Sequence, residues 1–234
     1  MHSDLALLTR ASGLPLASFR REHVAKQVAR ACRRECVDGP DALARTLGRD
    51  GAARGRFRRS VAISHAAMFR DEQQFALLED ELLPRLLAGG ARLSAWSAGC
   101  ADGSELHTLG LVLARLGALD RALLLGSDLL EENLALARVG RYEGFSIPRE
   151  VRARVRWERR DLVADGPPPG RWRLVLCRNV AIYLAPGARA RLYATLVSAL
   201  SARGILLLGR SERLIDPAAL GLRAVGAHAY ERVA

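Results

Sequence analysis

Four segments of this chain place polar side chains at the end of a predicted strand. The clearest is the run Leu174, Val175 and Leu176, which is followed by Cys177, Arg178 and Asn179, with Tyr183 a few residues later. A short continuous apolar run is typical of a strand buried on both faces. Ligands of open α/β sheets bind outside the carboxyl ends of the strands, so these polar residues are candidate site residues. From this segment alone, a strand with a merely polar exit loop is an equally good interpretation.

Residues 96–105 predict a strand, a loop of small residues and the start of a helix. Small residues let a ligand approach the backbone closely, and a helix N-terminus offers free N–H groups. The spacing matches neither the GxGxxG dinucleotide fingerprint nor the GxxxxGK[ST] phosphate loop. The loop therefore suits a cofactor that has no pyrophosphate.

Carboxylates close the next two predicted strands. Asp128 follows Ser127, and Asp161 precedes Leu162. Asp128 could accept hydrogen bonds from ribose hydroxyls, while Asp161 could receive an exocyclic amine and Leu162 could pack on a base. An isolated Asp after a strand is more often a helix cap. Three such strand ends in succession describe an S-adenosylmethionine pocket.

Residues 1–60 show apolar side chains at helical spacing and no strand signal. Residues 38–41 predict a break in which Asp41 caps the next helix, and the glycine-rich residues 48–55 predict a flexible joint. A long helix is predicted over residues 71–87, with Phe75, Leu78, Leu82 and Leu86 on one stripe. Pro84 is expected to kink it.

From residue 91 onward, predicted strands and helices alternate. The predicted strands are residues 92–97, 122–127, 151–157, 173–177 and 204–209. The predicted helices are residues 104–116, 131–139 and 186–201. Residues 222–233 are predicted to form a terminal antiparallel hairpin. This alternation predicts a mostly parallel sheet with helices on both faces. The fold class is therefore α/β, with an all-helical domain (1–60), a linker with a connecting helix (61–90) and a Rossmann-like S-adenosylmethionine-binding catalytic domain (91–234).

The net charge is +11 and is carried almost wholly by arginine, since Lys26 is the only lysine. We do not expect nucleic-acid binding, because the arginines are spread along the chain and few aromatic residues interleave with them. An acidic protein partner fits the charge equally well.

Four scattered cysteines indicate neither a disulfide framework nor a metal site. No apolar run reaches membrane-spanning length, and the N-terminus lacks the pattern of a signal peptide, so we expect a cytoplasmic protein.

Taken together, the motifs resemble the chemotaxis receptor methyltransferases of bacteria, which esterify glutamate side chains on chemoreceptors. The resemblance runs from about residue 14 to residue 215. It is carried by Phe69-Arg70 ahead of a long helix, the loop at 96–105, Ser127-Asp128, the CRNVxIY segment at 177–183 and Gly209-Arg-Ser-Glu212.

The resemblance implies S-adenosylmethionine as cofactor, S-adenosylhomocysteine as product and no metal. Glu105 would hold the amino-acid end of the cofactor and Asp128 its ribose. The other implied cofactor contacts are Ser64, Ala98, Asp161 and Leu162, the last two at the adenine, together with Arg178 and Asn179, which would close the site. Arg70 and Tyr183 would face the target carboxylate as catalytic residues.

The implied partner is the helical cytoplasmic region of a chemoreceptor, bound by a monomer through a basic helix bearing Arg30, Arg33 and Arg34. Ser64 and Ala66 stand where the family has Asn and Thr, and the loop reads Gly103-Ser-Glu-Leu-His where the family has Gly-Glu-Glu-Pro-Tyr. Residues 140–157 are too few for the family's small β insertion, so its absence is expected. A relative that methylates another substrate and a pseudoenzyme that binds a helical partner remain alternatives.

Overall fold

The computed structural model describes residues 2–62, 68 and 71–233, which fall into two compact units. Unit 1 comprises residues 1–64 and 183–190, and unit 2 comprises residues 65–182 and 191–234.

Unit 1 is helical, as its apolar spacing predicts. Its helices are α1 (His2–Ser12), α2 (Arg21–Glu35), α3 (Gly39–Arg49) and α4 (Gly51–Ala62). The core between them is filled by fully buried side chains, among them Leu43, Leu47, Phe57 and Val61. An antiparallel bridge between Phe19 and Leu184 attaches residues 183–190 to this unit.

Two local predictions for this unit are wrong. In place of the flexible joint at residues 48–55, α3 ends at Arg49 and α4 begins at Gly51. The Asp50 carboxylate between them caps α4 by accepting bonds from the N–H groups of Ala52 (2.7 Å) and Ala53 (3.1 Å). Asp41 does not cap α3, which begins two residues earlier. Pro40 fits the first turn of a helix, where its missing N–H costs no hydrogen bond, so the helix includes it and Asp41.

Unit 2 is a Rossmann-like α/β domain. Its strands are β1 (Leu93–Ala98), β2 (Ala122–Asp128), β3 (Arg141–Tyr142), β4 (Phe145–Ser146), β5 (Val155–Arg159), β6 (Trp172–Cys177), β7 (Leu200–Leu208), β8 (Leu222–Gly226) and β9 (Ala229–Arg232). The helices are α5 (Glu72–Leu77), α6 (Leu83–Leu87), α7 (Ser104–Arg115), α8 (Glu131–Val139) and α9 (Arg149–Ala153), and α10 (Pro186–Ala199) begins in unit 1. Short 3₁₀ turns lie at Leu16–Ser18, Ala88–Gly90, Leu119–Arg121, Ala181–Tyr183 and Ala218–Leu220.

Seven strands form one sheet in the order β5-β2-β1-β6-β7-β9-β8, in which the first five are parallel and the last two form an antiparallel hairpin. The α/β prediction with a terminal hairpin is confirmed. The register aligns Ser97 with Gly126 on one side and with Leu176 on the other. The carboxyl ends of β1, β2 and β6 therefore meet at one edge of the sheet.

The predicted helix over residues 71–87 is present but is not uniform. A π-helical turn (Leu78–Leu82) separates α5 from α6. Pro84 has no N–H to donate to the carbonyl four residues earlier. The wider π-helical turn before Pro84 accommodates the loss of this hydrogen bond. The predicted apolar stripe is correct: Phe75, Leu78, Leu82 and Leu86 are all buried.

The predicted strand at residues 151–157 is wrong in its first half. Val151 lies in α9 and Val155 begins β5, and both are buried. Their spacing of four residues is that of one helix face, so periodicity alone does not place the boundary. Residues 141–146, just before α9, form a hairpin with two residues in each strand, β3 and β4.

Trp157 on β5 covers the neighbouring strand and the loop beside it. A Cβ on Gly126 would lie 2.3 Å from its ring, and one on Gly103 would lie 2.5 Å from it. Only glycine allows the indole to approach the backbone this closely.

In the part of the chain that is described, no helix has the length and apolarity needed to cross a membrane.

Candidate active site

The loop after β1 is anchored to the end of β2. The N–H groups of Gly99 and Cys100 donate to the carbonyl of Ser127 at 2.8 and 2.9 Å. Gly99 has a φ of +79°, and a Cβ there would lie 2.6 Å from Val180 Cγ2. A side chain is therefore excluded at Gly99 both by backbone conformation and by space. Ala98, the last residue of β1, is buried directly before this turn.

Asp128 ends β2 as a nearly buried carboxylate that is only 7% exposed. Its Oδ1 accepts bonds from the N–H of Leu130 and from Asn133 Nδ2, both at 2.9 Å, and its Oδ2 accepts the N–H of Ala101 at 3.0 Å. Burial raises the pKa of Asp128, whereas these three donors favour the ionised form. A carboxylate oxygen has two lone pairs, so Oδ2 keeps the capacity to accept a bond from a hydroxyl.

Glu105, in the first turn of α7, is held from two sides. Its Oε1 accepts the hydroxyl of Ser97 at 2.8 Å, and its Oε2 accepts Arg178 Nη1 at 3.0 Å. Arg178 thus connects the loop after β6 to the carboxylate beside the end of β1.

The guanidinium of Arg178 has two further partners. Its Nε donates to Gln74 Oε1 at 2.9 Å, and its Nη2 donates to Asp71 Oδ2 at 2.8 Å. The side chain is 5% exposed and its guanidinium carbon lies 5.4 Å from the centre of the Phe75 ring. Asp71 also lies 3.9 Å from Arg210 Nη1, so a second guanidinium balances part of the negative charge beside Arg178.

Glu212 holds the loop that follows Arg178. Its carboxylate is 3% exposed and accepts four backbone N–H groups, which belong to Asn179, Val180, Ala181 and Gly209. Burial raises the pKa of Glu212, and the four donors pull it in the opposite direction.

Asp161 and Leu162 differ in their surroundings. The Asp161 Oδ1 accepts the N–H groups of Val163 (2.9 Å) and Ala164 (3.2 Å), which is a local cap of the turn. Leu162 is buried, and its Cδ1 lies 3.7 Å from the position of a Cβ on Gly99. Leu162 therefore lies beside the loop after β1, next to Gly99, which Val180 also approaches.

Tyr183 belongs to unit 1. Its carbonyl accepts the N–H of Arg20 at 2.9 Å, and its ring centre lies 5.2 Å from that of His23. His23 Nε2 in turn lies 2.8 Å from the carbonyl of Val61, so this nitrogen carries the proton. Ser64 and Arg70, along with His65, Ala66 and Phe69 of the same motif, lie outside the described residues.

The three arginines expected to bind the partner lie on the exposed part of α2. They are not equivalent. Arg34 Nε donates to Glu35 Oε1 at 2.9 Å, and Glu35 also accepts two bonds from Arg56. These hydrogen bonds, first of all those from Arg56, lower the pKa of Glu35 to about 2.

Burial favours the neutral form of three groups near the loop, the thiols of Cys100 and Cys177 and the imidazole of His107. Burial raises the pKa values of the Cys100 and Cys177 thiols well above their usual range. Burial lowers the pKa of His107 to about 4. The ring packs edge-on against Trp157, and its Nδ1 lies 2.8 Å from the Tyr142 hydroxyl, which donates to the carbonyl of Asp102. His107 is therefore a packed side chain, as a lone histidine usually is.

The described residues fit S-adenosylmethionine in the chemistry of their donors and acceptors. Glu105 could accept a bond from an ammonium group, Asp128 could accept one from a ribose hydroxyl, and Leu162 offers an apolar surface. Gly99 removes the side chain at the centre of the loop. No cluster of three or more His, Cys, Asp or Glu that could hold a metal occurs in the described ranges.

Several residues of this arrangement were not among the expected contacts. Asp71 and Gln74 lie in or next to the first turn of α5, where acidic and polar residues usually belong to the helix start. Ser97 is an inward-facing hydroxyl within a predicted strand. Of these residues, only Glu212 could have been identified from the sequence, because it ends the Gly209-Arg-Ser-Glu segment of the family resemblance.

Comparison with known proteins identifies the family. A family model described as "CheR methyltransferase, SAM binding domain" matches residues 64–149 and 140–222. The chain is 28% identical to a chemotaxis protein methyltransferase of Listeria innocua over 75% of each protein. It is 25% identical to chemotaxis protein methyltransferase 1 of Pseudomonas aeruginosa, with 88% of this chain and 87% of the relative covered. The family model spans well over half of the chain, and the chain therefore belongs to the CheR methyltransferase family, with S-adenosylmethionine as its cofactor.

Proposed function

We propose that this methyltransferase esterifies glutamate side chains on the helical cytoplasmic region of a chemoreceptor-like protein. The relatives that are named chemotaxis protein methyltransferases support this substrate class. The observation that carries the proposal is the state of the acid–base groups at the site. The described carboxylates are engaged by N–H, O–H and guanidinium donors, the two thiols are neutral, and His107 is packed.

A site of this kind suits an acceptor that is already ionised. A glutamate side chain has a pKa near 4.3 and is a carboxylate at neutral pH, whereas a lysine amine has a pKa near 10.4 and must first lose a proton. Methylation of a carboxylate therefore needs positioning and exclusion of water rather than a general base. The described site offers positioning groups of this type.

Bound S-adenosylmethionine would supply a methyl group that its own sulfonium makes reactive. We assign Glu105 to the amino-acid end of the cofactor, Asp128 to the ribose, and Asp161 and Leu162 to the adenine. Ala98 and Ser64 would line the same pocket, and Arg178 and Asn179 would close it.

On the substrate side, we assign Arg70 and Tyr183 to orient the target carboxylate. A tight ion pair would lower the nucleophilicity of that carboxylate, so Arg70 would act through positioning. The Arg70→Ala variant should then lose most of its turnover and keep its affinity for S-adenosylhomocysteine.

The partner surface is proposed to be the exposed face of α2. Arg30, Arg33 and Arg34 give it positive charge, which complements the acidic surface of a receptor that carries several glutamates. The proposal is for a monomeric enzyme that binds neither nucleic acid nor the lipid bilayer.

The test is methyl transfer from labelled S-adenosylmethionine to membranes that contain the organism's own receptors. Treatment with base releases methanol from carboxyl methyl esters and leaves methylated amines intact. We expect the label on the receptor band to be released as methanol, with little label when Arg70→Ala replaces the wild type. Base-stable label on the receptor would contradict ester formation, and a wild type that transfers no label would favour a pseudoenzyme.

A further inference from the structure

Glu212 links the carboxyl ends of two neighbouring strands through one side chain. Its Oε2 accepts the N–H groups of Asn179 (2.7 Å) and Gly209 (2.9 Å), and its Oε1 accepts those of Val180 (2.9 Å) and Ala181 (2.7 Å). Residues 179–181 follow β6, and Gly209 follows β7. One buried carboxylate thus determines the spacing of the two loops.

The number of bonds requires a carboxylate at this position. Two carboxylate oxygens have about four lone-pair sites, and all four are used here. An amide of the same shape would offer one acceptor oxygen, and its NH₂ group would point at the remaining N–H donors. Buried donors left without an acceptor lose their bonds to water without replacement, which destabilises the loop.

The backbone around Glu212 is fitted to this arrangement. Asn179 has a φ of +60°, a left-handed conformation that a non-glycine residue adopts at a cost. A Cβ on Gly209 would lie 2.8 Å from the Asn179 nitrogen and 2.8 Å from Glu212 Oε2. The left-handed turn at Asn179 and the missing side chain at Gly209 therefore let both loops close on the Glu212 carboxylate.

This loop carries two side chains that reach the residues assigned to the cofactor. Arg178, at its start, donates to Glu105 at 3.0 Å. Val180 closes against Gly99, where a Cβ would come within 2.6 Å of its Cγ2. A shift of the 179–181 backbone would move both contacts together.

We propose that Glu212 is a positioning residue for the methyl-transfer site. It acts through the loop at residues 178–181, holding Arg178 against Glu105 and Val180 against the glycine turn after β1. The proposal rests on the assignment of the cofactor to these strand ends. It concerns a residue outside the assigned set of cofactor contacts.

The test compares Glu212→Gln with Glu231→Gln in the full-length chain. Glu231 is also a buried carboxylate, 4% exposed, but it pairs with Arg85 and Arg223 around the antiparallel hairpin. Both variants remove one buried charge, so both should lower the melting temperature. Affinity for S-adenosylhomocysteine by calorimetry and hydrogen exchange of the amides of residues 179–181 separate a positioning role from a merely stabilising one.

We expect Glu212→Gln to bind S-adenosylhomocysteine at least tenfold more weakly than the wild type, which corresponds to about 1.4 kcal/mol, and to show faster exchange at residues 179–181. Glu231→Gln should stay within twofold of the wild-type affinity. If Glu212→Gln does not fold, Gly209→Ala distorts the same loop and should show the same loss of affinity.

A folded Glu212→Gln variant with wild-type affinity would overturn the positioning role. So would a Gly209→Ala variant with wild-type affinity, in the case where Glu212→Gln does not fold. Failure of the wild type itself to bind would instead contradict the cofactor assignment on which this inference rests.

Discussion

At the residue scale, Arg178 is the side chain on which the site converges. It joins Glu105, Asp71 and Gln74 while remaining almost wholly buried. The planar guanidinium serves several acceptors in fixed directions, which a lysine ammonium on a flexible stem does not reproduce. A substitution that keeps the charge therefore tests the geometry.

We expect Arg178→Lys to lower the free energy of unfolding by about 2–3 kcal/mol, because a lysine in this buried position cannot serve all three acceptors of the guanidinium. Affinity for S-adenosylhomocysteine should fall at least tenfold. The matched control is Arg138→Lys, which alters an exposed pair with Glu131 and should change stability by less than about 0.5 kcal/mol. Urea denaturation and calorimetry measure both quantities, and equal effects of the two variants would contradict the role of Arg178.

The His107 imidazole predicts a pH dependence of stability. Its pKa is about 4 in the folded chain, because burial disfavours the charged ring, against about 6.5 when unfolded. Between these values the unfolded chain binds a proton that the folded chain does not. Stability should therefore fall as the pH drops from 6.5 to 4, by roughly 3 kcal/mol.

In His107→Phe this contribution should be absent. The difference in unfolding free energy between the wild type and the variant, measured by urea denaturation at several pH values, isolates it from the carboxylates. A difference that stays constant from pH 7 to pH 4 would show that folding leaves the pKa of the ring unchanged.

Whether the sequence predicts a contact in the site depends on whether the residue binds another side chain or the backbone. Asp128, Glu105 and Arg178 were predicted as polar residues at strand ends, and the structure places Glu105 and Arg178 in contact. Three of the four partners of Glu212 are backbone N–H groups 31 to 33 residues away in sequence, and every non-proline residue has such a group. Side-chain patterns therefore carry no information about this contact.

At the scale of the elements, most helices and strands of unit 2 lie where the apolar patterns predict them. The α8 helix, for example, has the predicted bounds of 131–139. The predicted elements are wrong where the same residues are compatible with two kinds of secondary structure. Glycines at 48, 51 and 55 favour a loop by composition, yet a single capping carboxylate starts α4 there.

Asp50→Ala should lower the free energy of unfolding by about 1 kcal/mol, because two N–H groups at the start of α4 lose their acceptor. Asp41→Ala is the control, since Asp41 lies in the first turn of α3 and is not its cap residue. It should cost less than half as much, through the helix dipole alone. Equal losses in thermal or urea unfolding would contradict the assignment of Asp50 as the cap.

At the scale of the whole molecule, positive charge is concentrated in unit 1. Residues 1–64 and 183–190 contain 14 of the 36 basic residues and only 6 of the 25 acidic ones. The composition identifies an excess of arginine but not its function. The location of Arg30 and Arg33 on an exposed helix face supports the use of this charge in binding an acidic partner.

The double variant Arg30→Glu/Arg33→Glu should raise the KM for receptor at least tenfold and leave the affinity for S-adenosylhomocysteine unchanged, since the charge change affects only the proposed docking face. Arg34 is paired with Glu35, so Arg34→Ala should have a smaller effect. The control is Arg45→Glu/Arg49→Glu on α3, an equal change of charge in the same unit. A similar rise in KM for the control would assign the effect to overall charge.

The proposed function requires that the cofactor binds at the carboxyl ends of β1, β2 and β6. Its most direct test is a calorimetric titration of the wild-type chain with S-adenosylhomocysteine. We expect saturable binding at one site with a micromolar dissociation constant. A titration that shows no binding up to millimolar concentrations would contradict the assignment of this site to the cofactor.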